Sequence, residues 1–138
     1  MSECFRSESV ADTEEYGRNL AKDLKSGTVV AFYGGMGMGK TAMVRGIADG
    51  LQLNAEVSSP TFALVHHYGG NPPLVHFDMY RVTGWDDLYS TGFFDYLDAG
   101  VILVVEWSEN IEAALPEETI RIRIEQLDDT TRLIKREG

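Results

Sequence analysis

The alternation of apolar and polar positions predicts a chain of short helices and strands. Tyr16, Leu20 and Leu24 recur at helical spacing. The run VILVV at 101–105 is apolar throughout, which is typical of a central strand covered on both faces. The run IRIRI at 120–124 alternates and indicates a half-exposed strand, for which 130–134 is the candidate partner. The predicted helices cover 12–25, 40–50, 85–98 and 108–114, and the predicted strands cover 28–33, 62–68, 74–80, 101–105, 120–124 and 130–134.

Turn and capping residues refine these elements. Asp12 with Glu15 resembles a capping arrangement at the start of the first helix, and Gly92 interrupts the third. GGNPP separates the second and third predicted strands, which predicts an antiparallel hairpin. Because strands and helices interleave, we expect an α/β fold with three layers and a mixed, partly parallel sheet.

Length and charge narrow the class of protein. The 138 residues fit one domain, 1–138, of which about the first eight residues are expected to be disordered. No apolar run approaches membrane-spanning length, and Cys4 is the single cysteine, so we expect a cytoplasmic protein without an internal disulfide. The net charge of −10, with 12 dispersed Lys and Arg residues, disfavours stand-alone binding of nucleic acid. We also expect no membrane partner. An acidic surface would suit a protein partner with a basic patch.

One glycine-rich stretch carries the candidate chemistry. GGMGMGKT, from Gly34 to Thr41, matches G-x-x-x-x-G-K-[ST] between a predicted strand and a predicted helix. Glycines let consecutive backbone N–H groups approach a phosphate, and the helix N-terminus favours the same anion. Lys40 would supply a full charge to the β- and γ-phosphates, and the Thr41 hydroxyl would bind Mg²⁺. The stretch therefore predicts a P-loop NTPase-like domain.

A P-loop site needs an acidic group near the metal, and two residues are candidates. Glu106 follows the apolar strand VILVV and is the preferred metal-side carboxylate, directly or through water. Asp78 follows LVHF, whose histidine indicates a less buried strand, and is assigned as a second active-site acid that orients the attacking water or the metal's waters. Thr61, in the sequence SPT, is a candidate sensor of the γ-phosphate, although a turn hydroxyl that caps backbone groups is the simpler interpretation.

Four blocks in series resemble the bacterial TsaE family. They are GGMGMGKT, SSPTFALVHHY, HFDMYR and VEWSE, in this order and spacing. The resemblance implies a small α/β P-loop ATPase of tRNA threonylcarbamoyladenosine formation. It also implies weak hydrolysis of ATP alone and stronger hydrolysis with a complex of TsaD and TsaB, so that tRNA is reached only indirectly.

The resemblance also implies a set of site residues. Asp78 would be needed for activity, and Thr61 would belong to a switch-like segment. Mg²⁺ would be held by Thr41 and Glu106, with Asp78 close by. Trp107 would lie beside the nucleotide or its partner surface, and Thr13, Glu109 and Arg132 would lie along the rest of the nucleotide. The loop that holds the phosphates of ATP or ADP would comprise Gly34, Gly35, Met36, Gly37, Met38, Gly39, Lys40, Thr41 and Ala42.

Two other functions stay open at this stage. A small-molecule or nucleotide kinase would use the same loop, but the chain is short and lacks an arginine-rich lid for a second substrate. A non-hydrolysing nucleotide-sensing module would also use it. A GTPase is disfavoured, because no N-K-x-D guanine-reading segment occurs.

Overall fold

Seven strands form one sheet in the computed structural model, which describes residues 2–34, 39–53, 65–70, 72–79 and 81–138. The strands are β1 (Ser2–Ser7), β2 (Val29–Tyr33), β3 (Val65–Gly70), β4 (Pro73–Asp78), β5 (Ile102–Glu106), β6 (Ile120–Gln126) and β7 (Arg132–Glu137). The helices are α1 (Val10–Ala21), α2 (Lys40–Gly50), α3 (Trp85–Ser90), α4 (Phe93–Leu97) and a 3₁₀ helix (Ser108–Ala114).

The sheet is mixed, with the order β1-β7-β6-β2-β5-β4-β3. Strand β2 runs parallel to β5 and β6, and β4 runs parallel to β5. The pairs β3–β4, β6–β7 and β1–β7 are antiparallel. The predicted partly parallel sheet, the hairpin across the GGNPP turn and the pairing of the last two strands are therefore confirmed. All five residues of β2 and of β5 are buried, as their apolar sequences predict.

Helices cover both faces of the sheet and enclose two hydrophobic clusters. On the first face, α1 and α2 cover residues such as Phe32, Val104 and Ile122. On the second face, α3, α4 and the 3₁₀ helix cover residues such as Phe77 and Val105. The three-layer α/β prediction is confirmed. None of the helices in the described ranges has the length and apolar character of a membrane span.

The helices α1 and α2 touch through their backbones. A Cβ atom added at Gly17 would lie 2.4 Å from the Met43 carbonyl oxygen, and one added at Gly46 would lie 2.1 Å from the Glu14 carbonyl oxygen. No side chain fits between the helices at either position, so glycine is required by the close approach. This contact fixes α2, and with it Lys40, against α1.

The N-terminal segment differs from the prediction of disorder. Ser2–Ser7 forms β1 and pairs with β7 along its whole length, from Ser2 opposite Glu137 to Ser7 opposite Arg132. The segment SECFRS has little apolar content, so its order depends on backbone pairing and on few side-chain contacts. One such contact is the Tyr16 hydroxyl, which donates a hydrogen bond of 2.8 Å to Glu3.

The first helix begins earlier and ends earlier than predicted. Its N-cap is Ser9, whose Oγ accepts a hydrogen bond of 3.0 Å from the backbone N–H of Asp12, so the predicted cap at Asp12 is wrong by three positions. Beyond Ala21, the N–H groups of Asp23 and Leu24 bond to carbonyls three residues back. These tighter turns end the α-helix before Leu24, which still packs against the core.

Candidate nucleotide-binding site

The two ends of the glycine-rich loop are described by the structure. Gly34 has φ +124° and Gly39 has φ +91°, both in the left-handed region that favours glycine. Gly39 is the N-cap of α2 and provides no side-chain cap. The backbone N–H groups of the first helical turn therefore point towards the loop, an arrangement that favours an anion. Residues 35–38, which include the predicted ligands Gly35, Met36, Gly37 and Met38, lie outside the described residues.

Lys40 is buried at the first position of α2, with 4% of its surface exposed. Its Nζ donates a hydrogen bond of 2.9 Å to the Gly34 carbonyl, so it spans the loop from end to end. The same Nζ lies 3.9 Å from Glu106 Oε1 and 5.3 Å from the centroid of the Trp107 ring. Burying an ammonium group is costly without such partners, and this one has a carboxylate, a carbonyl and an aromatic face around it.

Glu106 is the carboxylate beside Lys40, and its predicted role as the metal-side carboxylate stays a prediction. It is the last residue of β5, and only 6% of it is exposed. Asp78 ends the neighbouring parallel strand and lies opposite Glu106 in the register of β4 and β5. The Met79 N–H donates a hydrogen bond of 3.0 Å to the Glu106 carbonyl and holds the two strand ends together. Both candidate acids therefore reach the same edge of the sheet as the loop.

His76 is a site residue that the sequence reasoning missed. The expectation that its histidine makes β4 less buried is wrong, because His76 is 0% exposed. Its Nε2 lies 2.7 Å from Glu106 Oε2, which gives the buried ring a charged partner. The signal available in the sequence is the spacing. His76 and Asp78 are two residues apart on one strand, so both lie on the face of the sheet that Glu106 shares.

Trp107 directly follows Glu106 and has an unusual backbone. Its φ of +59° and ψ of +42° place a bulky residue in the left-handed region. Such a conformation costs about 1–3 kcal/mol and is typical of functional sites. The half-buried ring packs against the second hydrophobic cluster and lies below Lys40. Its predicted place beside the nucleotide or its partner surface stays a prediction.

Glu109 and Thr13 lie against opposite ends of the loop. The Gly34 N–H approaches Glu109 Oε2 at 3.4 Å. Thr13 is 2% exposed, and its Cγ2 is 3.8 Å from the point where a Cβ of Gly39 would lie. Its hydroxyl shares a hydrogen bond of 2.6 Å with Ser7 Oγ. The structure thus brings each residue to the loop, but not to one another.

Arg132 lies opposite Ser7, the hydrogen-bond partner of Thr13, in the pairing of β1 with β7. Its Nη1 donates hydrogen bonds to the carbonyls of Asp128 and Thr131, at 3.0 and 3.2 Å. The guanidinium group is therefore engaged with the β6–β7 turn, and its predicted contact with a nucleotide stays a prediction.

The remaining predicted residues divide into two groups. Thr41 and Ala42 lie in the first turn of α2, where Thr41 is half-buried and Ala42 is buried. Thr61 lies outside the described residues, so its predicted role as a sensor stays a prediction. In the described part of the chain, no cluster of three or more His, Cys, Asp and Glu side chains could hold a metal by itself.

The chain is similar to known proteins along most of its length. The family model "Threonylcarbamoyl adenosine biosynthesis protein TsaE" matches residues 7–134. A tRNA threonylcarbamoyladenosine biosynthesis protein TsaE from Treponema pallidum (strain Nichols) is 36% identical over 128 residues, which are 93% of this chain and 95% of the relative. The protein of the same description from Bacillus subtilis (strain 168) is 34% identical over 131 residues, which are 94% and 82%. The crystal structure of Bacillus subtilis YdiB matches with a TM-score of 0.81 at 30% identity and covers 99% of this chain and 84% of that one.

Proposed function

Because this chain belongs to the TsaE family of tRNA threonylcarbamoyladenosine biosynthesis, we propose that it is the ATP-hydrolysing subunit of that pathway. In this proposal the protein binds Mg²⁺ and ATP in the loop from Gly34 to Thr41. It acts in the cytoplasm on a complex of TsaD and TsaB homologues and reaches tRNA only through that complex.

The observation that carries the proposal is the position of Lys40. Its buried ammonium lies at the N-terminus of α2, spans the loop to Gly34, and faces the carboxylate of Glu106. A positive charge and a helix N-terminus directed at one point suit a polyphosphate. The carboxylate of Glu106, next to this positive charge, suits the Mg²⁺ ion that accompanies a bound polyphosphate.

The donor set around the loop fits Mg²⁺. Thr41, in the first turn of α2, and Glu106, at the end of β5, would hold the ion. Mg²⁺ keeps several waters and is bound by one or two protein oxygens together with substrate phosphates. Two protein ligands therefore suffice here, without a larger cluster. When bound, the ion would neutralise charge on the β- and γ-phosphate oxygens.

Lys40 and Asp78 have separate roles in the proposed hydrolysis of ATP. Lys40 stabilises the negative charge that develops on the phosphate oxygens during transfer to water. Asp78 accepts a hydrogen bond from the attacking water and orients it. Asp78 is half-buried and lies opposite Glu106 in the register of β4 and β5, so the two acids end neighbouring strands at the same edge of the sheet.

Binding and hydrolysis test the first part of the proposal. The purified protein is titrated with ATP and with ADP at saturating Mg²⁺, and phosphate release from γ-labelled ATP is measured. We expect label in inorganic phosphate, whereas a kinase would pass label to an added acceptor and a sensing module would release none with its partners present. Lys40→Ala should abolish binding or turnover. Lys22→Ala, at an exposed lysine after α1, is the matched control.

The second part of the proposal is the partnership. The net charge of −10 supports docking on a protein with a basic surface rather than on bare tRNA. We expect TsaD and TsaB homologues from the same cells to co-purify with this chain and to raise its rate of ATP hydrolysis. Reconstituted modification of tRNA should require all three proteins and fail with Lys40→Ala. A rate unchanged by the partners would contradict the partnership but not nucleotide binding.

A further inference from the structure

We propose that His76 is a positioning residue, which fixes the carboxylate of Glu106 so that its second oxygen faces Lys40 and the phosphate-binding loop. The inference rests on the proposed function, since it assigns a role in the Mg²⁺–ATP site. It concerns a residue on β4, outside the glycine-rich loop.

The contact with His76 gives the two carboxylate oxygens of Glu106 different neighbours. Oε2 lies 2.7 Å from His76 Nε2, whereas Oε1 lies 3.9 Å from Lys40 Nζ. Since a carboxylate only accepts hydrogen bonds, Nε2 carries the hydrogen and donates it. The oxygen that does not contact His76 is therefore the one presented to the loop.

The pairing of the strands explains why this geometry is rigid. His76 lies opposite Val104 in the parallel register of β4 and β5, and Glu106 is two residues further along β5. Both side chains thus lie on the same face of the sheet, and the ring reaches diagonally to the carboxylate. His76 is completely buried and Glu106 is 6% exposed, so water does not compete strongly for this hydrogen bond.

The surroundings of the ring indicate that Glu106 is its principal polar partner. Within the described residues, Nδ1 of His76 is buried without a hydrogen-bond partner. The rings of His66 and Tyr68, on β3, lie 6.5 and 6.2 Å from the His76 ring and pack against it. An apolar side chain would fill such a position without leaving a nitrogen unpaired, so stability alone does not explain a histidine here.

A fixed carboxylate matters because Glu106 lies beside Lys40 and, under the proposed function, also has to bind Mg²⁺. Its flexible side chain would otherwise have to be ordered when a cation binds, and that ordering costs conformational entropy. With Oε2 held by His76, only Oε1 has to exchange the neighbourhood of Lys40 for that of a metal ion. Groups that orient metal ligands in this way commonly change metal affinity by about 10- to 100-fold.

The test measures affinity for a metal rather than activity. Mn²⁺ is titrated into each protein saturated with the non-hydrolysable analogue AMP-PNP and followed by electron paramagnetic resonance. His76→Phe keeps a ring of similar size but removes the donor, and we expect it to weaken Mn²⁺ binding by about 10- to 100-fold. His76→Gln keeps an N–H donor at nearly the same distance and should restore most of the affinity. Affinity for AMP-PNP in EDTA should be the same in all three proteins, which would show that the loop itself is intact.

Each result bears on a separate claim. Equal Mn²⁺ affinity of the wild-type protein and His76→Phe, with a folded protein by circular dichroism, would overturn the positioning role and leave the proposed function standing. A wild-type protein that binds no AMP-PNP would overturn the proposed function and the positioning role with it. If Phe prevents folding, His76→Leu removes the same donor with a smaller side chain and answers the same question.

A double-mutant cycle with Glu106→Gln separates positioning from general damage. If His76 acts only through Glu106, His76→Phe should cause no further loss of Mn²⁺ affinity once Glu106 has been replaced. Additive losses in the double variant would show that His76 acts by another route, and would overturn the inference.

Discussion

The ammonium group of Lys40 lies 5.3 Å from the centroid of the Trp107 ring, on the side where the glycine-rich loop meets the sheet. A cation over an indole face is attracted by the ring's quadrupole, by about 0.5–2 kcal/mol depending on its exposure to water. The pair therefore joins the residue proposed to bind phosphate to a residue with an intrinsic optical signal.

This pair makes Trp107 a reporter of Lys40. The second tryptophan, Trp85, is 54% exposed on α3, and Trp85→Phe leaves Trp107 as the single emitter. In that variant we expect Lys40→Ala to shift the emission of Trp107, because the charge above its ring is removed. Addition of Mg²⁺ and ATP should shift the emission of the Trp85→Phe protein as well. Steady-state fluorescence checks both, and an emission unaffected by Lys40→Ala would contradict the contact.

Removing the charge of Glu106 and removing that of Asp78 should affect ATP hydrolysis in different ways. Glu106→Gln is expected to raise the Mg²⁺ concentration needed for half-maximal hydrolysis and to lower turnover by about tenfold or more. Asp78→Asn is expected to lower the rate at saturating Mg²⁺ by roughly 10²-fold, since it removes the group proposed to orient water. Initial rates across a Mg²⁺ series distinguish the two effects. If Asp78→Asn instead changes the Mg²⁺ requirement, the two acids have exchanged roles.

The backbone contact between α1 and α2 predicts a large effect of a single methyl group. Gly46→Ala would place a Cβ 2.1 Å from the Glu14 carbonyl oxygen and should lower the free energy of unfolding by about 2 kcal/mol or more, despite the better helix propensity of alanine. Gly84→Ala is the control, because nothing lies within 4 Å of its added Cβ and its φ of −171° is ordinary extended backbone. Urea unfolding should place the control within about 0.5 kcal/mol of wild type.

His66 should make stability sensitive to mild acid. Burial lowers the pKa of His66 below its usual 6.5, and the neighbouring His76 lowers it further. Below about pH 6.5 the unfolded chain therefore binds a proton at this residue more readily than the folded protein does, so the free energy of unfolding falls as the pH falls. Unfolding curves between pH 7.5 and 5.5, together with the ring signals of His66 by NMR, check this. His66→Gln should flatten the decline, and an equally steep decline would contradict it.

Much of the fold could be read from the sequence because local patterns coincide with tertiary burial. The all-apolar strand before Glu106 is central, and the alternating 120–124 segment has one covered face. The strand β1 could not be predicted in this way. Its sequence SECFRS has no apolar periodicity, and its order comes from pairing with β7, about 130 residues away in the chain.

A residue of the candidate site could be predicted where the local sequence around it also explains its position. Lys40 and Glu106 are of this kind, because a helix start and a strand end are local features. His76 is not, since its role depends on the register between β4 and β5. The left-handed conformation of Trp107 is also invisible in the sequence, because no glycine or asparagine marks it.

The glycine contacts at Gly17 and Gly46 have a mechanical consequence. With no side chains between them to change rotamer, α1 and α2 can neither slide nor rotate past each other without a backbone clash. Thr13 and Lys40, one on each helix, therefore belong to a single rigid body. Relative movement of α1 and α2 therefore cannot open or close the space around the loop.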